Sequence, residues 1–500
     1  MKKLLLFIIL ILSIFSIYSS SSFAANSGDY KYDLLEDGSA IIKSYQGKDK
    51  NLIIPDEIDG YTVKAIGKEA FAYRENLISV TIPNSVIEIQ DNPFVHDKNL
   101  ERIEVYKEHP CFADIDGVLF NKENRSLLSF PAASKIDYSI PQGIVEIGPY
   151  AFSATPIKRI VLPDSMKTIG DSAFKFCMNL HDIEISEGVI SIGNCAFEGC
   201  SGLSQLDLPE SITYIGERAF CDCIFQNIEL PSGISSVEQG LFWNCSRLDK
   251  ITIPDGVISI GDSAFWSCKN LCECILPDGL VSIGDFAFDS CTSLNTISIP
   301  DRVIEIGKNP FVGCAGLSNI SVSSQQQYFE VVDGVLFRKL DSKLISYPLT
   351  LVDAEYTMPQ GVECIGAYAF SDNDRLINVY TCSGLQVIDV GAFDDCNRLK
   401  HVSLHEGLSS LGSHAVYNCS SLADITIPEG VTKIGSKAFY GCGNMTAISL
   451  PESISDIPSH VFDGCPKLTA SVVKDSYANQ YCVDNNIRCS YADSLDWLNG

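Results

Sequence analysis

Residues 260–288 read IGDSAFWSCKNLCECILPDGLVSIGDFAF, and the pattern of this stretch recurs along most of the chain. It opens on Ile-Gly, reaches an Ala-Phe pair with a cysteine three residues on, passes a proline, and returns to Ile-Gly and Ala-Phe. An aromatic or valine anchor of this kind occurs fifteen times, at Phe71, Phe94, Phe152, Phe174, Phe197, Phe220, Phe242, Phe265, Phe288, Phe311, Phe370, Phe393, Val416, Phe439 and Phe462. Twelve of the fourteen intervals between anchors are 22 or 23 residues. A fixed period of this length predicts a stacked solenoid.

One repeat, residues 287–307, shows which local structure the pattern predicts. Ile297 and Ile299 alternate with polar residues, which is the period of a strand with one buried face. Pro300 ends this strand because proline has no N–H to give to a ladder. Two further apolar residues then return to the core, and Gly307 provides backbone freedom for a corner. Each repeat therefore predicts a strand, a corner, a second strand and a short helical turn that carries Ala-Phe.

A single repeat cannot bury its own inward side, so neighbouring repeats must stack. At a strand spacing of about 4.8 Å, stacking places each anchor on the next. We therefore predict a β-rich solenoid of about 15 turns of 22–23 residues with short helical turns. A residue before each Ala-Phe pair is expected to cap its helical turn, as at Asp171, Asn194, Glu217, Asp262 and Asp285.

The repeat resembles a known family. Units such as residues 260–288 look like the BspA-type leucine-rich repeat, whose pattern runs L-x-x-I-x-I-P-x-x-V-x-x-I-G-x-x-A-F-x-x-C. Departures are local: Val416 replaces the aromatic anchor, and Ile457-Pro458 replaces Ile-Gly. The resemblance implies a secreted or surface-exposed protein that binds other macromolecules, with members similar to bacterial adhesins for host matrix proteins and other cells. It implies no reaction.

The pattern predicts the domain organisation. We expect a signal peptide at 1–25, an N-terminal β cap at 26–64, the repeat solenoid at 65–465 and a C-terminal cap at 466–500. Two long anchor intervals predict β-hairpin insertions at about 106–140 and 323–358. Both contain Asp-Gly-Val-Leu-Phe, beginning at Asp116 and Asp333, which suggests a duplicated module. The insertions are either structural hairpins that cover a widened turn or binding elements.

The first residues predict export. Met-Lys-Lys is followed by an apolar or hydroxyl run over residues 4–17 and then by Ala24-Ala25, as in a secretory signal peptide. We expect a secreted, extracellular protein, either released or held noncovalently at the cell surface. No later apolar stretch is long enough to span a bilayer, so no membrane insertion is predicted.

The net charge and the absence of catalytic motifs argue against several classes of function. A net charge of −27 makes nucleic acid a poor partner, because nucleic-acid binding needs a basic surface. No hydrolase, zinc-protease or phosphate-loop motif occurs in the sequence. We therefore predict no enzyme, no cofactor and no metal site, and a secreted enzyme is only a remote alternative.

Eleven of the twenty cysteines lie three residues after an anchor and form a repeat column. Export favours disulfides, but a regular inward column is better explained by small buried side chains whose thiols face main-chain carbonyls. Free thiols are therefore the favoured interpretation. Cys482 and Cys489, in the tail, are the best candidates for a disulfide.

Outward positions of the first strand vary while their neighbours do not, so recognition is expected there. Glu184, Asp207 and Glu229 form an acidic stripe on consecutive repeats, and we predict that a basic protein surface or ligand docks on it. The simpler interpretation is a solvated sheet face. Tyr380 is a further candidate. The leading hypothesis is an adhesin that binds host or neighbouring-cell proteins. A glycan or cell-wall binding module is the alternative, favoured if Trp243, Trp266 and Tyr380 cluster.

Overall fold

The computed structural model describes residues 25–491. The predicted signal peptide therefore lies almost wholly outside the described residues. The fold is a β-solenoid of about 20 turns with little helix, which confirms the predicted fold class. The described chain forms two compact units, residues 25–134 with 148–155 and residues 135–147 with 156–491. The domain boundaries given above remain a prediction.

The first unit begins with a mixed sheet in the order β1-β2-β3-β6-β5, in which β8 also pairs with β6. A second sheet stacks β4, β7 and β9 in parallel. Three antiparallel strands, β10 to β12, follow. The strands are β1 Ala25–Ser27, β2 Tyr30–Leu34, β3 Ala40–Tyr45, β4 Asn51–Ile53, β5 Glu57–Ile58, β6 Tyr61–Ile66, β7 Ser79–Ile82, β8 Glu88–Ile89, β9 Arg102–Val105, β10 Phe112–Ile115, β11 Val118–Asn121 and β12 Ser126–Ser129.

In the second unit, the strand that precedes the proline of each repeat belongs to what we call the front ladder. Its strands pair in parallel with those of neighbouring coils, in four separate runs. These front strands are β13 Asp137–Ser139, β15 Arg159–Val161, β17 Asp182–Glu184, β21 Lys250–Thr252, β23 Glu273–Ile275, β25 Thr296–Ile299, β27 Asn319–Val322, β31 Glu355–Thr357, β33 Asn378–Tyr380, β35 His401–Ser403, β37 Asp424–Thr426, β38 Ala447–Ser449, β39 Thr469–Val472 and β40 Arg488–Tyr491.

The second strand of a repeat is only two residues long and forms the corner ladder, which continues beyond β36 as isolated bridges such as Leu411 with Ile434. Three antiparallel-paired strands, β28 to β30, interrupt the series. The one described helix, α1 Tyr477–Asp484, lies near the C-terminal end. The corner and insertion strands are β14 Glu146–Ile147, β16 Thr168–Ile169, β18 Ser191–Ile192, β19 Tyr214–Ile215, β20 Ser236–Val237, β22 Ser259–Ile260, β24 Ser282–Ile283, β26 Glu305–Ile306, β28 Phe329–Val332, β29 Val335–Arg338, β30 Lys343–Ser346, β32 Cys364–Ile365, β34 Val387–Ile388 and β36 Ser410–Leu411.

The anchors form the core. All fifteen are buried, and their rings stack from coil to coil, as at Phe265 and Phe288, whose centroids are 5.2 Å apart with an angle of 5° between the planes. Burying one such side chain stabilises the fold by about 1.5–3 kcal/mol. Because every coil repeats this burial, packing along the stack sets the period.

The cysteine column packs beside the anchors, as predicted. Each of ten thiols donates to the main-chain carbonyl of the preceding coil's anchor at 3.0–3.3 Å, as Cys268 does to Phe242. Burial raises the pKa of Cys223 and Cys245 well above the ordinary thiol value, so these thiols stay protonated donors. All cysteines of the described chain are free thiols, Cys482 and Cys489 included.

The anchor segment differs from the predicted helical turn. It consists of successive turns in which an amide bonds three residues back, as from Trp266 N to Ser263 O at 3.0 Å. Ser263 and Ser267 have φ of 53° and 60°, and left-handed residues at this spacing prevent a continuous helix. Amides of this segment also bond to the next coil, as from Phe265 N to Ala287 O at 2.8 Å. We call this third set of bonds the anchor ladder.

The predicted caps act between coils instead of within one. Asp262 Oδ1 accepts from the amide of Asp285 at 2.7 Å, and Asp285 Oδ1 accepts from the amide of Lys308 at 2.8 Å. The next coil is about 4.8 Å away and presents an amide there. The side-chain oxygen therefore tethers successive coils and caps no helix.

Candidate functional site

The structure places the four predicted binding residues on the front of the second unit, in two groups. Glu184 ends strand β17 and is exposed. Asp207 and Glu229 are exposed too, but they belong to coils in which the front segment forms no strand. Tyr380 ends strand β33, opposite Thr357 and Ser403 on the neighbouring strands, and is half-buried. Tyr380 is many coils from the acidic stripe along the chain, so it belongs to no common site with it.

The three acids differ in their electrostatic partners. Glu184 Oε1 lies 3.7 Å from the guanidinium of Arg159, which also contacts Asp182 at 3.0 Å. Within the part of the chain that the structure describes, neither Asp207 nor Glu229 has a basic group within 4.0 Å. These two carboxylates are therefore available to a positively charged partner.

The front ladder is open at this place. Strand β17 pairs with β15, and β21 pairs with β23, but residues 204–208 and 227–230 between them form no strand. Within residues 25–491, the main chain of 204–208 and of 227–230 makes no hydrogen bond. The corner ladder is open as well, because β19 and β20 belong to different sheets. We call this place the ladder opening.

The anchor ladder still holds the two coils together. Arg218 N donates to Gln239 O at 2.9 Å, Phe220 N to Leu241 O at 3.1 Å, and the Cys245 thiol to Phe220 O at 3.1 Å. The core is therefore continuous although the front segments of the two coils form no strand and their corner strands, β19 and β20, are not paired.

Two sequence departures coincide at the ladder opening. The interval Phe220 to Phe242 is 22 residues, because Phe225 follows Cys223 after one residue where other coils have two. The corner glycine is also replaced, by Glu238. A Cβ built on the next corner glycine, Gly261, would lie 2.6 Å from a main-chain nitrogen of the preceding coil. A side chain at such a corner therefore requires the neighbouring main chain to shift.

Neither departure opens a ladder alone. The other 22-residue interval, Phe152 to Phe174, keeps its corner glycine, and its strands β15 and β16 are paired with β17 and β18. Asp389 replaces the corner glycine in a full-length coil, and β34 is still paired on both sides. Only the coil that ends at Phe242 combines both departures. The two departures together therefore mark the coil at the ladder opening.

An open hollow of about 720 Å³ lies beside the ladder opening. Side chains of five successive coils line this hollow. Most are amides, hydroxyls or charged groups: Ser204, Gln205, Ile224, Gln226, Asn227, Arg247, Asp249, Asn270, Cys272 and Ser293. In the described chain, the side-chain amides of Gln205, Gln226, Asn227 and Asn270 make no hydrogen bond. These groups are free to bind a polar ligand.

Trp243 and Trp266 lie side by side, but other side chains cover the faces of their rings. The rings of Trp243 and Trp266 lie 4.4 Å apart, and the Arg218 guanidinium lies 5.1 Å above the Trp243 ring. Tyr380 is elsewhere, so the three aromatic residues form no common platform for a sugar. The arrangement favours packing on the anchor segment.

Among residues 25–491, no group of three or more His, Cys, Asp or Glu side chains is placed to hold a metal ion. In the same residues no helix has the length and apolar character needed to cross a bilayer.

Comparison with protein families identifies the repeat. The BspA type leucine rich repeat region (6 copies) matches residues 48–138, 128–249, 236–332 and 354–476. The chain belongs to the BspA-type leucine-rich repeat family. The resemblance inferred from Ile-Gly, Ala-Phe and Cys is thereby confirmed. No curated protein matches this BspA-type chain significantly.

Several solved structures align with nearly the whole chain. A leucine-rich cell surface protein from Faecalibacterium prausnitzii is 26% identical, covers 96% of this chain and 98% of its own, and has a TM-score of 0.49. A leucine-rich repeat protein from Bacteroides ovatus is 24% identical over 94% and 100% of the two chains, with a TM-score of 0.42. The pneumococcal vaccine antigen PcpA is 17% identical over 95% and 100%, with a TM-score of 0.42.

Sequence reasoning about this BspA-type chain found the acidic stripe but missed the ladder opening. Two signals mark it in the sequence, the short interval before Phe242 and Glu238 at a corner where glycine recurs. Each departure is tolerated elsewhere, so neither predicts the opening by itself. Their coincidence in one coil is the sign that identifies the site.

Proposed function

We propose that the chain is exported and acts outside the cell or on its surface as an interaction protein, of adhesin type, that binds proteins through the front of the solenoid. Support for export comes from the signal-peptide pattern of residues 1–25. The packed interior accounts for the recurring residues of the repeat, and we assign it no reaction.

One observation carries the proposal. Asp207 and Glu229 are exposed on neighbouring coils, and neither carboxylate has a basic partner in the described chain. Since surface acids without partners gain most from an incoming cation, these two residues suit a basic patch on another protein. A net charge of −27 extends the same preference over longer range.

The test is a capture assay with the whole exported chain. Immobilised matrix proteins, cell-wall glycans and intact cells are each incubated with the labelled protein at low and high salt. Protein targets should retain the chain, and the variant carrying Asp207→Lys and Glu229→Lys should lose most retention at low salt. The matched control carries Asp255→Lys and Asp278→Lys, two exposed acids on neighbouring coils outside the ladder opening.

Three results would contradict the proposal. The first is equal capture of both double variants. The second is capture by glycans alone, which would support the glycan-binding alternative. The third is capture by no target.

A further inference from the structure

We propose that the ladder opening and its hollow bind one extended, basic peptide segment of a partner protein. This inference rests on the proposed function and names the partner's local conformation and charge. Three observations carry it: the main chain left unpaired at the opening, the hollow lined by unpaired amides, and the charge at its rim.

The first observation is the main chain. Residues 204–208 and 227–230 present N–H and C=O groups that have no partner in the described chain. Unpaired strand edges are templates for another extended chain. The front ladder is also interrupted between β35 and β37, but the coils on both sides of that break form strands, whereas residues 204–208 and 227–230 belong to two successive coils without one. A peptide in extended conformation offers the complementary donors and acceptors.

The second observation is the hollow. Its volume of about 720 Å³ is within the roughly 300–1,000 Å³ of ordinary ligand sites. Gln205, Gln226, Asn227 and Asn270 each offer one acceptor and two donor hydrogens that are unused in the described chain. A side-chain amide has the same donor and acceptor groups as a peptide bond, so these residues can continue the main-chain pairing into the hollow.

The third observation sets the charge of the segment. Asp207 and Glu229 lie two residues beyond Gln205 and Asn227, and all four side chains are exposed while Leu206 and Ile228 between them are buried. Inside the hollow, Arg247 and Asp249 carry opposite charges, and Asp249 already accepts from the Cys272 thiol at 3.1 Å. The wall is therefore nearly neutral and the rim is acidic. A lysine or arginine on the peptide fits the rim.

The experiment measures binding of three labelled decapeptides to the whole chain by fluorescence anisotropy. One alternates Lys and Thr, one alternates Glu and Thr, and one alternates Lys and Pro. Lys–Pro has the charge of Lys–Thr but has fewer main-chain N–H groups to pair. We expect Lys–Thr to bind at least about tenfold more tightly than Lys–Pro, since each lost hydrogen bond costs about 0.5–1.5 kcal/mol and tenfold is about 1.4 kcal/mol. Glu–Thr should bind more weakly still.

A closing variant provides the structural control. Insertion of one glycine after Ile224 together with Glu238→Gly restores the repeat length and the corner glycine. It should bind Lys–Thr at least about tenfold more weakly than the natural chain. The variant Asp255→Lys with Asp278→Lys should bind as the natural chain does. Amide exchange of residues 204–208 shows whether the closing variant has folded and closed.

Three results would overturn the inference. Equal affinity for Lys–Thr and Lys–Pro would mean that charge alone drives binding, and undiminished binding by a variant shown to be closed would exclude the opening as the site. Either result leaves the proposed function standing if protein capture still depends on Asp207 and Glu229. Absence of any peptide binding overturns the inference as well, and the capture assay then decides the proposed function separately.

Discussion

The two short coils of the second unit have the same length and different outcomes. The coil that ends at Phe174 and the coil that ends at Phe242 each follow a 22-residue interval. In the first, strands β15 and β16 pair with their neighbours; in the second, residues 227–230 form no strand. The corner residue is Gly170 in the coil that ends at Phe174 and Glu238 in the coil that ends at Phe242. This solenoid therefore keeps its strands where a residue is missing or where the corner is bulky, and the two departures together coincide with the loss of the front strand.

The strongest test of this comparison is to replace the corner glycine of the coil that ends at Phe174, which is already one residue short. Gly170→Glu places a side chain at the corner of the short coil, and overpacking of this kind costs about 1–3 kcal/mol. We expect a lower denaturation midpoint and faster amide exchange across β16 and β18. The control is Gly284→Glu, in a full-length coil, which should keep β24 paired because Asp389 is tolerated in the same setting. Unchanged exchange at β16 would contradict the account.

The converse change should close the opening. Glu238→Gly with a glycine inserted after Ile224 gives this coil the usual length and corner. New front and corner bonds should slow amide exchange of residues 204–208 by at least about tenfold, equivalent to about 1.4 kcal/mol of local stability. Exchange measured by mass spectrometry on peptides covering 200–232 would show this. Glu238→Gly alone should have an intermediate effect.

The thiol column should matter more at the opening than elsewhere. Cys245 donates to Phe220 O where only the anchor ladder joins the coils, whereas Cys291 donates to Phe265 O where the front and corner ladders are also formed. Cys245→Ala should therefore speed exchange of the Phe220 amide more than Cys291→Ala speeds exchange of the Phe265 amide. We expect a difference of about 1 kcal/mol in opening free energy, the size of one hydrogen bond. Equal effects of the two substitutions on amide exchange would mean that the ladder opening does not weaken the contact between its two coils.

The smallest effect is expected from the acids. Asp207→Lys and Glu229→Lys change exposed side chains that have no ion-pair partner in the described chain. Surface substitutions of this kind change the free energy of unfolding by about 0.5 kcal/mol or less. Thermal melting of the double variant should match that of the natural chain. A large loss of stability would show that the acids are structural and would remove them from the candidate site.

The stacked coils could be predicted from the sequence because each recurring residue makes the same packing or hydrogen-bonding contact in every coil. Stacked anchors such as Phe265, thiols such as Cys268 and the strand-ending prolines are set by packing and hydrogen bonding that every coil repeats. The prediction that the anchor segment is helical was wrong. Ser263 and Ser267 adopt a left-handed φ that prevents a helix, and serine, unlike glycine, gives no sign of such a φ in the sequence. Caps such as Asp262 were assigned to their own coil because a single repeat does not show the amide of the next.

The duplicated module illustrates what the sequence could show only in part. The shared Asp-Gly-Val-Leu-Phe motif indicated a duplication, and strands β10–β11 and β28–β29 pair in the same register. Beneath them, His109 and Gln326 have the same role: each bonds to the preceding proline's carbonyl, at 3.1 and 3.0 Å, and each accepts from two amides that follow it. Histidine and glutamine share no sequence signature, so this equivalence needed the structure.

Amide exchange in the unaltered protein tests the central claim most directly. The account predicts that amides of residues 204–208 and 227–230 exchange at least about tenfold faster than those of strands β23 and β25, because only the latter are bonded to neighbouring coils on both sides. Equal protection of the two sets would mean that the front ladder is continuous, and it would contradict both the opening and the peptide site built on it.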